Sequence, residues 1–136
     1  MILLDTNVVS AMMKPAFEPA IDIFCQAHST RKLHLPSIVI AEIRYGIQRV
    51  PPGRCRDETE QNFFTFLSAG FSARIVHFDD VRAKYYAIAR ATRDRAGRPV
   101  SAEDALIGGM ALAYGAILAT RNTADFEGYG LRLVNP

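Results

Sequence analysis

Three of the chain's carboxylates occupy positions where an unpaired charge is hard to accommodate. Asp5 directly follows the apolar run Ile2-Leu3-Leu4. Glu42 lies in a stretch with helical spacing, where the positions three and four away are Ile38, Val39, Tyr45 and Gly46, a largely apolar stripe. Asp104 stands three residues after Ser101 and next to Leu106 and Ile107. Two of the three have an ordinary structural alternative. Asp5 would cap the helix that follows it, and Ser101 with Asp104 would make a capping box closed by aspartate. Glu42 has none, because a charge on an apolar stripe needs a partner or an ion. Brought into one pocket, the three acids must take up protons or hold cations. Two carboxylates ~4 Å apart repel by about 4 kcal/mol at an effective dielectric of 20.

At neutral pH the economical neutraliser of an all-oxygen set is a hard divalent ion, Mg²⁺ or Mn²⁺. Zinc is disfavoured. His28, His34 and His77 are scattered over different predicted elements, and Cys25 and Cys55 form no ligand-spaced pair and read as reduced thiols. An oxygen-ligated Mg²⁺ suits phosphate chemistry, by activating water and stabilising the leaving oxygen of an in-line displacement. Arginine supplies 13 of the 16 basic residues, the side chain fitted to forked contacts with phosphate. Arg121, just after a predicted strand, is the best-placed phosphate contact. Arg82, Arg90, Arg93, Arg95 and Arg98 read instead as a solvated helix face interleaved with Asp94. The other acids need no special account. Asp57, Glu60, Asp79 and Asp80 suit helix starts, and Glu18, Asp22, Glu58, Asp94 and Glu127 suit solvated surface.

The elements that must position these residues alternate between strand and helix. Short apolar strands are expected at 2–4, 33–35, 73–78, 115–120 and 131–134. Helices are expected at 8–13, 19–27, 37–48 with Ser37 as cap, from 57–60 onward through Phe63, Phe64, Phe66 and Leu67, from 79 to a stop at Gly97 and Pro99, and over 101–114. The phenylalanine cluster reads as helix-to-core packing, with a protein interface as the alternative. Gly108-Gly109 falls inside a helix, where it permits close packing rather than cradling a phosphate. Strands separated by helices predict an α/β fold, a central mainly parallel sheet with helices on both faces. In such sheets ligands bind beyond the carboxyl ends of the strands, which is where Asp5 and Thr120-Arg121-Asn122 fall.

At 136 residues, 49% hydrophobic, 22% charged and with a net charge of +2, the chain reads as one globular domain, 1–136, without a polycationic field or a disordered segment. Met1-Ile2-Leu3-Leu4-Asp5 lacks the basic start of a secretion signal. The uncharged run 105–120 is too short to span a bilayer and carries three glycines. A cytoplasmic protein without membrane attachment is expected.

Four segments together resemble a PIN domain, most closely the VapC and FitB-like toxins of bacterial type II toxin–antitoxin pairs. They are Leu3-Leu4-Asp5-Thr6-Asn7, Ala41-Glu42 with Gly46, Glu103-Asp104-Ala105-Leu106-Ile107, and Ala119-Thr120-Arg121-Asn122-Thr123-Ala124-Asp125-Phe126. The resemblance runs from the first strand to the last. It implies a Mg²⁺-dependent endoribonuclease that hydrolyses phosphodiester bonds in single-stranded or looped RNA, in many relatives tRNA or rRNA. Asp5 and Asp104 would be the metal ligands and Glu42 would complete the acidic cluster. Thr6 and Asn7 would support Asp5, and Thr120 would line the pocket. It also implies a homodimer, silenced by a VapB- or FitA-like antitoxin whose carboxy-terminal segment covers the site and through which alone operator DNA is bound. Where many relatives carry a fourth acid after Thr120-Arg121, this chain has Asn122. Asp125, one helical turn on, is the alternative fourth acid. Two other readings compete. A phosphatase with nucleophilic Asp5 would need an acid at position 7, which is Asn. A catalytically weak PIN scaffold binding RNA or protein would gain nothing from mutually repelling acids.

Overall fold

The structure, a computed structural model, describes all 136 residues. Five parallel strands form one sheet in the order β3-β2-β1-β4-β5: β1 Ile2–Leu4, β2 Leu33–Pro36, β3 Ile75–Val76, β4 Ile117–Ala119 and β5 Arg132–Val134. Successive residues of β1 face opposite sides of the sheet, yet Ile2, Leu3 and Leu4 are all buried. Both faces are therefore covered, as the unbroken apolar run predicts. Seven α-helices do the covering: α1 Thr6–Met12, α2 Pro19–Ala27, α3 Ser37–Gln48, α4 Arg54–Phe66, α5 Asp80–Arg95, α6 Ala102–Tyr114 and α7 Thr123–Phe126.

From β1 the chain winds outward through β2 to β3, then crosses back to β4 and winds the other way to β5. The direction reverses between β1 and β4, where strand carboxyl ends open a crevice. Leu4 pairs with Ala119, and the Asp5 N–H donates to the Ala119 carbonyl at 2.9 Å. Asp5 and Thr120 thus leave the sheet side by side.

Several boundaries differ from the expected ones, each for a local reason. The third strand is two residues rather than 73–78. The chain before it is still in a π-helical turn, Leu67–Phe71, and the Arg74 N–H closes that turn onto the Phe71 carbonyl at 2.8 Å. Ser37 does not cap α3. Pro36 takes the cap position, and the Ser37 hydroxyl accepts the Phe78 N–H at 3.2 Å, tying the exit of β3 to the start of α3. α4 begins at Arg54, three residues before the expected start. Gly53, at φ 154°, makes the break, and Asp57 and Glu60 lie inside the helix rather than at its cap. Only Phe63 of the phenylalanine cluster is fully buried, and Phe64 is exposed. The arginines of α5 are not a uniform solvated face. Arg93 is buried, with Nε donating to the Arg98 carbonyl at 2.8 Å and Nη1 to the Ala124 carbonyl at 3.3 Å and to that of Glu127. It fastens α7 to the end of α5.

Gly108 and Gly109 act as packing residues. A Cβ on Gly109 would stand 2.6 Å from the Tyr86 backbone nitrogen, and one on Gly108 would stand 2.9 Å from the Tyr129 ring. These approaches seat α6 against α5 and the chain after α7. Gly109→Ala meets backbone, which yields less readily than a side chain, so we expect it to destabilise the protein by about 1–3 kcal/mol. Gly46→Ala, in a helix with nothing within 4 Å of the new methyl, is expected to stabilise by roughly 0.5–1 kcal/mol. Urea denaturation of the two variants checks both signs.

Candidate active site

The crevice between β1 and β4 gathers its polar side chains through short connections from buried elements. Asp5 is the first residue beyond β1 and only 5% exposed. Its Oδ1 accepts the Thr6 N–H at 2.8 Å, capping α1, and its Oδ2 accepts the buried Thr120 hydroxyl at 2.7 Å. The capping role and the site role therefore coexist in one carboxylate. The Thr120 Oγ1 in turn accepts the Asn122 N–H at 3.0 Å and lies 3.5 Å from Asn7 Nδ2. Asn7 Oδ1 accepts the Arg121 N–H at 3.2 Å. Thr6, Asn7 and Thr120 thus form one hydrogen-bonded frame around Asp5.

Glu42 comes from the middle of α3, and the Thr6 hydroxyl donates to its Oε2. Its stripe is less apolar than the spacing suggests. Val39 is buried but Tyr45 is 66% exposed, so Glu42 sits half-buried at the margin of the core. Asp104 lies in the first turn of α6. Its N–H donates to Ser101 Oγ at 3.1 Å, but the return bond that would complete a capping box is not made. That leaves the carboxylate available. Asp125, half-buried on α7, faces the same space. Asn122 begins α7 without a side-chain capping bond.

Electrostatics tie the acids together. Burial raises the carboxyl of Asp5 above its usual range, against hydrogen bonds from Thr120, Thr6 and Asn7 that pull it down, with the Asp125 charge pushing it further up. Burial also raises Glu42, to which the charges of Asp5 and Asp104 add. Asp104 is raised by burial, against a hydrogen bond from the Ser101 side chain that pulls it down, and the charges of Asp5 and Asp125 add to the rise. None of the protein's ion pairs uses Asp5, Glu42, Asp104 or Asp125. Carboxylates from four elements therefore feel one another's charge, Asp125 through Asp5 and Asp104, with no side-chain cation paired to them.

The donor set suits a hard divalent ion. It is all oxygen, half-buried to buried, and short of positive charge. No three of the side chains stand together as a ready-made metal cage, but Mg²⁺ is commonly held by one or two carboxylates and its own waters.

Two residues beside the site carry roles that their sequence positions did not suggest. Arg121, expected to face a phosphate, donates from Nη2 to Glu18 Oε2 at 2.7 Å. Glu18, expected as free surface, bridges Arg121 and Lys14 and is held down to about 2 by them. Only distance along the chain hid this pairing. A groove of about 530 Å³ also opens beside Thr6 and Glu42, lined among others by Ser10, Met13, Lys14, Gly46 and Ile47. Its residues are ordinary in sequence and carry no signal of their own.

The PIN domain family model matches residues 2–130. The chain is 38% identical over 136 residues to the plasmid stability protein StbB of Pseudomonas syringae pv. tomato, covering all of this chain and 98% of that one. It is 32% identical to the VapC ribonuclease Y4jK of Sinorhizobium fredii, covering all of this chain and 97% of that one. Among solved structures, FitAB bound to an IR36 DNA fragment superposes with a TM-score of 0.90 at 28% identity, over all of this chain and 95% of that one. The parallel sheet, the acids at its switch point and these likenesses agree: the chain belongs to the PIN-domain family, among its VapC- and FitB-like toxins.

Proposed function

We propose that this chain is the Mg²⁺-dependent endoribonuclease of a type II toxin–antitoxin pair, acting in the cytoplasm and cutting RNA by hydrolysis. The observation that carries the reading is the set of carboxylates at the β1/β4 switch point that no side-chain cation pairs, of which burial and neighbouring charge raise Asp5, Glu42 and Asp104. A pure binding scaffold has no use for that repulsion. Asp5 and Asp104 would hold Mg²⁺ or Mn²⁺, with Glu42 and Asp125 completing the negative wall. A bound ion of this class lowers the pKa of water and offsets charge developing on a phosphodiester.

The chain's own residues supply orientation and proton handling. The Thr120 hydroxyl spends its proton on Asp5 Oδ2, and the Thr6 N–H holds Oδ1, so the Asp5 carboxylate is fixed in direction. The Thr6 hydroxyl holds Glu42 by Oε2, leaving Oε1 free to take a proton from an attacking water. A carboxyl raised by burial is suited to that task, because general bases work best with a pKa nearer the operating pH. The groove beside Thr6 and Glu42 would seat the carboxy-terminal segment of a VapB- or FitA-like antitoxin, placing it against the acids. The FitAB likeness, a toxin–antitoxin complex on DNA, supports an operator contact made through the antitoxin, and a homodimer is expected.

EDTA and Asp5→Ala are each expected to abolish cleavage of an RNA pool. Cleavage that survives both would overturn the reading. Thr120→Val, which removes the support of Asp5 but no acid, should lower activity about 10–100-fold. Millimolar Mg²⁺ should raise the wild-type melting temperature, and Asp104→Asn should remove much of that gain.

The pKa directions also fix how stability responds to pH. A carboxyl raised in the folded state favours folding while it is protonated, and that contribution is lost as pH rises through its folded pKa. Glu18 acts in the opposite sense, but its window lies below the ordinary glutamate value of 4.5, down to about 2. In EDTA, stability should therefore fall as pH rises above the ordinary carboxylate values of about 4. Asp104→Asn should flatten that fall and leave the metal-free protein more stable than wild type at pH 7. Urea titrations across this range check it. A rising curve would mean the acids are neutralised by partners within the fold.

A further inference from the structure

Glu18 holds the N-cap position of α2, but its side chain makes no capping hydrogen bond. A carboxylate at a helix start ordinarily turns toward the free N–H groups of the first turn. Glu18 turns away, and each of its oxygens meets a different cation. Arg121 Nη2 donates to Oε2 at 2.7 Å and Lys14 Nζ donates to Oε1 at 2.7 Å. Both cations belong to the rim of the acidic site. The Arg121 N–H is anchored to Asn7 Oδ1, within the frame that holds Asp5. Lys14 lines the groove shared with Thr6 and Glu42. One internal carboxylate therefore occupies two positive groups beside a site that otherwise presents only negative charge.

We propose that Lys14 and Arg121 form a cradle for a backbone phosphate of single-stranded RNA, and that Glu18 fills this cradle in the free protein as a stand-in for the phosphodiester. The proposal rests on the nuclease reading for the nature of its ligand. A phosphodiester and an ionised carboxylate each carry one negative charge and offer two acceptor oxygens, so the exchange leaves the cradle's charge unchanged. The guanidinium fork accepts either group. The exchange costs least on the Lys14 side, which is open to solvent, and more at Arg121, whose side chain is 28% exposed. The Lys14 and Glu18 side chains are 56% and 41% exposed, and ion pairs of that kind hold weakly. Glu18 thereby makes RNA capture conditional. A strand must displace it, and a strand that also reaches the acidic site gains more than one that touches the rim alone.

The test measures binding of a fluorescent 12-nucleotide single-stranded RNA in EDTA and low salt, by anisotropy. It compares wild type, Glu18→Gln, Arg121→Gln and the double variant. Glu18→Gln should tighten binding about three- to fivefold, the upper part of what an exposed ion pair contributes. It should also steepen the salt dependence by roughly 0.7 for one further phosphate contact. Arg121→Gln should weaken binding, and in its background the effect of Glu18→Gln should shrink to about twofold or less, since a stand-in matters only while its cradle exists. Lys14→Gln, at an exposed side chain, provides a second cycle in which the effect should shrink likewise. Equal tightening in all backgrounds would show that Glu18 acts merely as a nearby negative charge, and would overturn the proposal. Unchanged or weaker binding by a Glu18→Gln protein that melts like wild type would overturn it too. A separate arm follows RNA cleavage by wild type in Mg²⁺. Cleavage without the anisotropy pattern rejects the cradle and keeps the nuclease, while the pattern without cleavage does the reverse.

Discussion

The hydrogen bond from Thr120 to Asp5 joins the two halves of this molecule at the point where its chemistry is assembled. Its donor leaves β4 and its acceptor leaves β1, neighbours in the sheet although 115 residues apart in the chain. A reversal of winding direction at that seam leaves no helix to fill the crevice above it. Whatever sits there must satisfy a buried carboxylate by other means. The surrounding frame does so with neutral donors only: the Thr6 N–H, the Thr120 hydroxyl and the amide of Asn7. These orient the Asp5 charge without cancelling it. Burial still outweighs them, and the net direction of the Asp5 carboxyl is upward.

That imbalance extends to the other acids. Glu42 is braced by one hydroxyl, and Asp104 is met by Ser101 only through its N–H and a nearby hydroxyl. Each bond fixes a direction for a carboxylate, and none removes charge. The fold thus stores repulsion among residues delivered by β1, α3, α6 and α7, and its packing elsewhere must offset that cost. The close seating of α6 on α5 through Gly109, and the sealed apolar core around Leu3, Leu4 and Leu118, are where the offset is found.

Much of this was legible in the sequence because burial leaves a plain pattern. Ile2-Leu3-Leu4 announced a central strand, and the position of Asp5 at its end announced the crevice. α2 and α6 fell where their spacing put them, and Gly108-Gly109 proved to be packing residues. The misses share a cause. The truncated β3, the displaced cap at Ser37 and the early start of α4 at Gly53 all depend on contacts or dihedrals that local composition does not encode. The burial of Arg93 was hidden because its partners are backbone carbonyls, which look alike at every position. The Arg121–Glu18 pair was hidden because 103 residues separate its members.

The disposition of the arginines argues most directly that the acidic site is kept negative rather than left so by chance. Cations are not scarce in this chain, and several lie on the elements around the crevice. Arg93, the one buried cation, spends its donors on the carbonyls of Ala124, Glu127 and Arg98 rather than on the carboxylate of Asp125, carried by the same α7 segment it fastens. Arg82 is paired with Asp79 and stacked 4.1 Å from the Tyr114 ring, and Arg90 donates to the Tyr86 hydroxyl at 2.6 Å. Arg121, whose backbone is bound into the Asp5 frame, turns its guanidinium to Glu18. The fold thus holds these cations on other partners and leaves Asp5 buried, with Glu42, Asp104 and Asp125 half-buried, free of any side-chain ion pair.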